Sequence, residues 1–283
     1  MNALNGIVNA IFDFVCRLAA SVGSLTLLIL LSGVFGVLAL VAFKHLSFQK
    51  RIKAAKDKIK AHMIEIRLYQ DDLAIVGRAI GKVFWHNARY LGLNIVPILP
   101  LALPFTIVAA QLVTRFGFEP APVHAQTQPL LAGGGTTLAI ELQRGEEGRI
   151  ANLEVHYPAG LEPVSPLVRM PESGKAWQEF VARKPGCYTI EIALDGETQT
   201  KQFCAGVAAP QMQPERGRGF VSALLWPAEP VLESRSFFKG LSFRYPDRKL
   251  PWMPAGPEGV LLYFLLVSML FGLAVMKPLK VQI

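Results

Sequence analysis

The chain has 283 residues, of which 52 % are hydrophobic and only 18 % charged, with a formal net charge of +8. That is too apolar for an ordinary soluble domain of this length. The basic excess sits almost wholly in one short segment, so it reads as a signal of membrane topology and not as a nucleic-acid footprint.

Residues 1–17 precede the first apolar block and read as an extracytoplasmic or interfacial segment. The block is Leu18–Phe43, "LAASVGSLTLLILLSGVFGVLALVAF", 26 residues without a charge. A spanning helix needs about 20 apolar residues. A cleaved signal would have a basic start and an apolar core of about 7–15 residues; this segment has no leading Lys and a longer core, so it is expected to anchor the chain.

Residues 44–89 follow, with 11 Lys and Arg against four Asp and Glu. On a helix from Ser47, the residues Ile52, Ala55, Ile59, Met63 and Ile66 form one apolar stripe. Lys53, Lys56 and Lys60 form a basic stripe beside it, with Lys50 and Lys58 nearby. Asp71 and Asp72 suit the first turn of a second helix, whose stripe is Leu73, Val76, Ile80 and Val83. The segment is therefore expected to fold back as two antiparallel helices with their apolar stripes together. Its lysines either only hold the loop inside, bind anionic headgroups, or dock a partner. Trp85, Arg89 and Tyr90 return the chain to the membrane.

Tyr90–Val113 is the second charge-free block and holds Pro97, Pro100 and Pro104. Its strongly polar residues are Asn94 and Gln111, and intramembrane polar groups face a cavity or another helix. Gly259–Met276 is the third block, closed by Lys277. Ser32 and Gly36, and Ser268 and Gly272, are small pairs spaced i, i+4 that let helices approach closely. Residues 114–258 carry 15 basic and 16 acidic side chains. The positive-inside bias then places residues 44–89 and 277–283 in the cytoplasm, and the N-terminus and residues 114–258 outside. The protein is expected to be a multi-pass protein of a bacterial-type plasma (inner) membrane.

After a linker at 114–130, residues 131–208 read as short strands with turn punctuation. In "CYTIEIALDGETQTKQFC", Asp195-Gly196 is a two-residue turn signal, because both central positions need positive φ. Cys187 and Cys204 each lie eight residues from that turn, so they face each other on a non-hydrogen-bonded pair, within disulfide range. Tyr188, Ile190, Ile192, Leu194 and Phe203 then take the core side. Trp177 upstream and the spacing of the strands suggest an immunoglobulin-like β-sandwich. Residues 209–258 read as an interfacial stretch around Trp226 and one further strand, "GLSFRYP". The fold class is thus membrane α + β: three transmembrane helices, a cytoplasmic helical hairpin and an extracytoplasmic sandwich.

No constellation supports an enzyme. "AGGGTT" at 132–137 lacks the Lys and spacing of a phosphate loop, the five histidines are scattered, and no metal or other cofactor is called for. His62 and Glu65 share a helix face as a solvated pair.

Span, basic hairpin (Ser47–Arg89), proline-bearing span, insertion and third span in this order resemble the YidC/Oxa-type membrane protein insertase superfamily. The resemblance covers about half the chain and lies in topology, not in a diagnostic motif. It implies a hairpin that meets the ribosome or a client, and a polar groove between spans that lowers a client segment into the bilayer. Expected partners are anionic lipid headgroups and membrane proteins or a ribosome with its nascent chain; no direct nucleic-acid binding is expected. The chain departs from the family, many of whose members carry a cation in the groove, because no charge lies inside the three blocks. The alternative is a non-catalytic scaffold or accessory subunit carrying an outer binding domain.

Overall fold

The structure, a computed structural model, describes residues 2–19, 22–124, 134–279 and 281. The end of the expected linker (125–130), the start of the expected sandwich (131–133) and Lys280 in the expected tail lie outside the described residues. Two compact units are present: Met1–Leu28 with Ile107–Leu262, and Ile29–Thr106 with Tyr263–Ile283.

Seven α-helices occur among the described residues: α1 (Asn2–Leu18), α2 (Ser24–Leu46), α3 (Gln49–Leu68), α4 (Leu73–Ile95), α5 (Ile98–Phe116), α6 (Gly219–Leu225) and α7 (Pro257–Met276). Three stretches, Ser24–Leu46, Leu73–Phe116 and Pro257–Met276, are helical, long and apolar enough to cross a membrane, so the chain is a membrane protein. Their limits differ from the expected blocks. Leu18 closes a separate helix, and Gly23 at φ 85° breaks the chain before α2 begins. The block from Tyr90 to Val113 is not one helix. α4 runs unbroken through Arg89 and Tyr90 to Ile95, the chain turns at Val96 and Pro97, and α5 resumes at Ile98. Pro97 brings no N–H to continue the ladder.

In the helical unit, α2 and α7 meet at the small residues. A Cβ on Gly36 would stand 2.1 Å from the Ser268 carbonyl oxygen, and one on Gly272 would stand 3.5 Å from that of Gly36. Only glycine at position 36 permits this backbone approach. Helices α3 and α4 are joined by a short turn, and Asp72 caps α4 by accepting hydrogen bonds from the N–H groups of Ala74 (2.9 Å) and Ile75 (3.1 Å). Ile52, Ala55 and Ala79 are buried, and the rings of His62 (α3) and His86 (α4) stack with centroids 5.5 Å apart. Met63, Leu73 and Ile80 are exposed, against the expected stripes. On α4 the buried position is Ala79, one residue from Ile80, so the inward face is rotated by about one residue, roughly 100° on a helix.

Among the described residues the other unit holds nine strands: β1 (Thr136–Leu142), β2 (Glu154–His156), β3 (Leu161–Pro163), β4 (Val168–Met170), β5 (Lys175–Ala182), β6 (Gly186–Leu194), β7 (Glu197–Ala205), β8 (Glu215–Gly217) and β9 (Phe238–Ser242). One sheet runs β3-β5-β1-β9-β8 with β4 also on β5, the other β2-β6-β7, and every pair is antiparallel. β9 lies between β1 and β8, so residues beyond 208 complete the first sheet. Ring contacts join the two sheets: Phe180 of β5 meets Phe203 of β7 at 4.8 Å, and Phe203 meets Phe243 at 5.1 Å.

β6 and β7 pair from Leu194 with Glu197 out to Gly186 with Ala205, around Asp195 (φ 46°) and Gly196 (φ 87°). Cys187 and Cys204 face each other with Cα atoms 4.0 Å apart and form a disulfide. Ile190, Ile192, Leu194 and Phe203 are buried as expected. Tyr188 is not: its ring lies half-exposed against Gly160 and Gly186, and its hydroxyl donates to the Lys184 carbonyl at 2.7 Å. Replacing both cysteines with Ala is expected to lower the stability of this unit by about 3 kcal/mol, the loop-closure value for this separation. Hydrogen exchange along β6 and β7 measures it, and unchanged protection would contradict it.

Candidate functional site

The polar side chains of the strand-bearing unit converge on a cleft of about 350 Å³, lined in part by Asn9, Asp13, Cys187, Gln202, Gln211 and Glu229. Helix α1 supplies its first wall. Asn5, Asn9 and Asp13 recur every fourth residue and so share a face. Asn5 Nδ2 donates to the Ala223 carbonyl at 2.7 Å and Asn9 Nδ2 to that of Pro227 at 2.9 Å. Asp13 Oδ1 accepts from Arg115 Nη1 at 2.6 Å. The opposite face, Leu4, Ile7, Ile11, Phe14 and Leu18, is exposed.

Arg115 lies in the last turn of α5 and is buried. Besides Asp13 it donates to Gln111 Oε1, the Asn9 carbonyl and the Pro210 carbonyl, each at 3.3 Å. Gln111 Nε2 in turn donates to Asn9 Oδ1 at 2.6 Å, and Gln211 Nε2 reaches the same oxygen at 3.1 Å. Gln111, one of the two polar residues expected to face a cavity or another helix, is therefore one link in a five-residue network with Asp13, Arg115, Asn9 and Gln211. No charge lies inside the second expected block; α5 extends past that block and carries one, because three neutral oxygens and one carboxylate satisfy the guanidinium.

Across the cleft lies a second buried ion pair. Lys201 is wholly buried on β7; its Nζ donates to Glu229 Oε1, donates to the Gln213 carbonyl at 2.7 Å and stands 4.6 Å from the Phe243 ring centre. Glu229 Oε2 accepts the Gln202 N–H at 3.1 Å. Burial pushes the Lys201 amine below its ordinary value, and Glu229 opposes that shift. Both carboxylates of the cleft are thus engaged with cations. The cleft offers hydrogen-bonding groups for recognition. Among the described residues, no three His, Cys, Asp or Glu side chains gather closely enough to hold a metal ion.

In the helical unit, Lys50, Lys53, Lys58 and Lys60 are exposed on α3 and Lys56 is half-buried. His62 Nδ1 lies 2.7 Å from Glu65 Oε2. Asn94 Nδ2 donates to the Tyr90 carbonyl of its own helix at 2.8 Å, and its Oδ1 is buried with no hydrogen-bond partner among the described residues. A separate cleft of about 330 Å³ lies among α2, α5 and α7. Its lining includes Phe35, Phe43, Leu101, Phe105 and Met269, and Ser268 is its one polar side chain. The polar groove implied by the resemblance is not formed by these residues.

Sequence reasoning passed over Asp13, Arg115, Lys201 and Glu229. Two signals were available. Asn5, Asn9 and Asp13 alternate with an apolar set at helical spacing. Lys201 shares strand parity with Phe203, which was assigned to the core side. Compared with protein-family models, with curated proteins and with solved structures, the chain gives no significant match in any of the three.

Proposed function

We propose that this chain is an insertase-like membrane chaperone that helps place or assemble other membrane proteins. In this reading α3 and α4 form a cytoplasmic basic arm, residues 114–258 face outward as an immunoglobulin-like domain, and the membrane is a plasma (inner) membrane of bacterial type. The observation that carries it is the cleft among α2, α5 and α7. It is apolar, it is formed by the candidate spanning helices, and it lies in the same unit as the basic helix pair. An apolar client segment fits such a lining, and exposed lysines beside a span suit a nascent chain, a ribosome or anionic headgroups. The immunoglobulin-like reading is supported by two antiparallel sheets whose aromatic residues meet; the disulfide joins neighbours of one sheet, unlike the inter-sheet bond of antibody domains.

A scaffold role is the second reading, and the polar cleft around Asn9 and Gln211 favours it, because that cleft suits a fixed partner. A photo-crosslinking residue at Leu101 separates the two. Insertion predicts crosslinks to many newly made membrane proteins that disappear when translation is stopped. A constant set of mature subunits, indifferent to translation arrest, would overturn insertion and support the scaffold.

A further inference from the structure

Between α3 and α4 lies a notch of about 90 Å³ lined by Arg51, Ala54, Ala55, Lys58, His86 and Arg89. Three of these six side chains are permanent cations and none is acidic. Asp57 beside Lys58 does not line it, and Glu65 is engaged one turn along by His62. The Arg51 guanidinium sits 5.2 Å from the Phe48 ring centre, which holds it near the start of α3. His86 stacks on His62, and its Nδ1 is buried with no hydrogen-bond partner among the described residues. Three like charges gathered around one small space repel one another, and an anion bound among them relieves that repulsion. The two guanidinium groups supply forked donors that match phosphate oxygens.

We propose that this notch binds a phosphate group, and that its source is the headgroup of an anionic lipid. Position argues for the lipid. Arg51 follows the end of α2 at Leu46 by five residues, and Arg89 is the last charge before the charge-free block that begins at Tyr90. Arg51 therefore follows the end of one candidate span and Arg89 borders the charge-free part of another, at the depth where headgroup phosphates lie. The site is distinct from the basic stripe of Lys53, Lys56 and Lys60, none of which lines it. It rests on the proposed topology of α3 and α4 and does not need the insertion activity.

Native mass spectrometry of the full chain, purified in detergent and offered phosphatidylglycerol, phosphatidylcholine or inorganic phosphate, tests it. One phosphatidylglycerol is expected to stay bound where phosphatidylcholine does not. Arg51→Gln with Arg89→Gln should reduce retention at least about tenfold, given the worth of two cations at a membrane surface. Lys53→Gln with Lys60→Gln removes the same charge outside the notch and should leave retention within about twofold. Ala54→Glu is the independent variant: position 54 is exposed on a helix that tolerates Glu, so the fold is kept while a carboxylate occupies the notch. It should abolish retention. Equal retention by the native chain, the double-Gln variant and Ala54→Glu would overturn the site. Occupation by inorganic phosphate as readily as by phosphatidylglycerol would overturn the lipid as the source. Loss of crosslinking to new proteins with lipid retention intact would count against insertion alone.

Discussion

Replacing Glu229 with Ala is expected to destabilise the strand-bearing unit by about 3–5 kcal/mol, the cost of leaving one member of a buried pair without its partner. The whole stability of a domain is about 5–15 kcal/mol, so the loss is a large share of it. Lys201 is the reason. Its side chain has no exposed surface, and with Glu229 removed its ammonium keeps only the Gln213 carbonyl and the Phe243 ring. The Gln202 N–H loses its acceptor as well. Hydrogen exchange at β6 and β7 in the full chain reads the effect. Changing both partners, Lys201→Met with Glu229→Leu, should recover most of it, because a well-packed apolar pair is often no worse than a buried ionic one. The single variant should also respond to pH. Burial lowers the Lys201 pKa, and Glu229 is the main influence that opposes this. Without Glu229 the folded state releases the proton at a pH where the unfolded chain, with a lysine pKa of about 10.4, still holds it. The unfolded state then binds more protons, so stability rises with pH in that window. The deficit should shrink between pH 7 and pH 10. A deficit of the same size at both would show that lost packing, and not the buried charge, is responsible.

The ease with which different features could be read from the sequence follows from how local their causes are. The turn at Asp195-Gly196 fixes its own register, because two consecutive positive φ angles are needed and only a few residues supply them. Counting outward from it gives the disulfide and four of the five inward side chains. Tyr188 fails that rule because it lies near the open end of the pair, where its hydroxyl bonds outward to Lys184. The three candidate spans were legible from charge-free length alone, but not their ends. A glycine at 23 and a proline at 97 sit inside apolar runs and break helices without altering hydropathy. The buried networks were illegible for a different reason. Arg115 finds Asp13 across 102 residues of chain and Lys201 finds Glu229 across 28. A charge near an apolar run looks like the end of a burial pattern until its distant partner is known. The same holds for the notch: Arg51 and Arg89 are unremarkable on separate helices, and only the packing of α3 on α4 gathers them.

Asp13→Ala is expected to release α1 from the unit it is clipped to. The Arg115 side chain is 3 % exposed and that of Asp13 is 32 % exposed, so the arginine is the member that cannot be resolvated in place. It retains three neutral oxygens, which softens the loss to about 2 kcal/mol from the full cost of an orphaned buried charge. What remains on the polar face of α1 includes the amide bonds donated by Asn5 and Asn9 and those that Asn9 Oδ1 accepts from Gln111 and Gln211, each worth about 1 kcal/mol. Cys16 is a built-in reporter, because it lies on α1, is half-buried and is the free cysteine, while Cys187 and Cys204 are bonded to each other. A loss of about 2 kcal/mol raises the open fraction about thirtyfold, and alkylation of Cys16 should quicken accordingly. Asp13 also acts on the thiol directly. Burial pushes the Cys16 pKa up, Arg115 lowers it and Asp13 raises it further, so removing Asp13 increases reactivity by charge alone. Asn5→Ala with Asn9→Ala is the necessary partner experiment, since it cuts the clip without changing any charge. Both variants should quicken alkylation in detergent. In lipid vesicles the exposed stripe of Leu4, Ile7, Ile11, Phe14 and Leu18 should hold α1 in the headgroup region, and the increase should be smaller. If Asp13→Ala accelerates alkylation and the double Asn variant does not, the rate reports the thiol's electrostatics and the polar clip is not what fixes α1. An equal increase in detergent and in vesicles would mean that the apolar stripe makes no lipid contact.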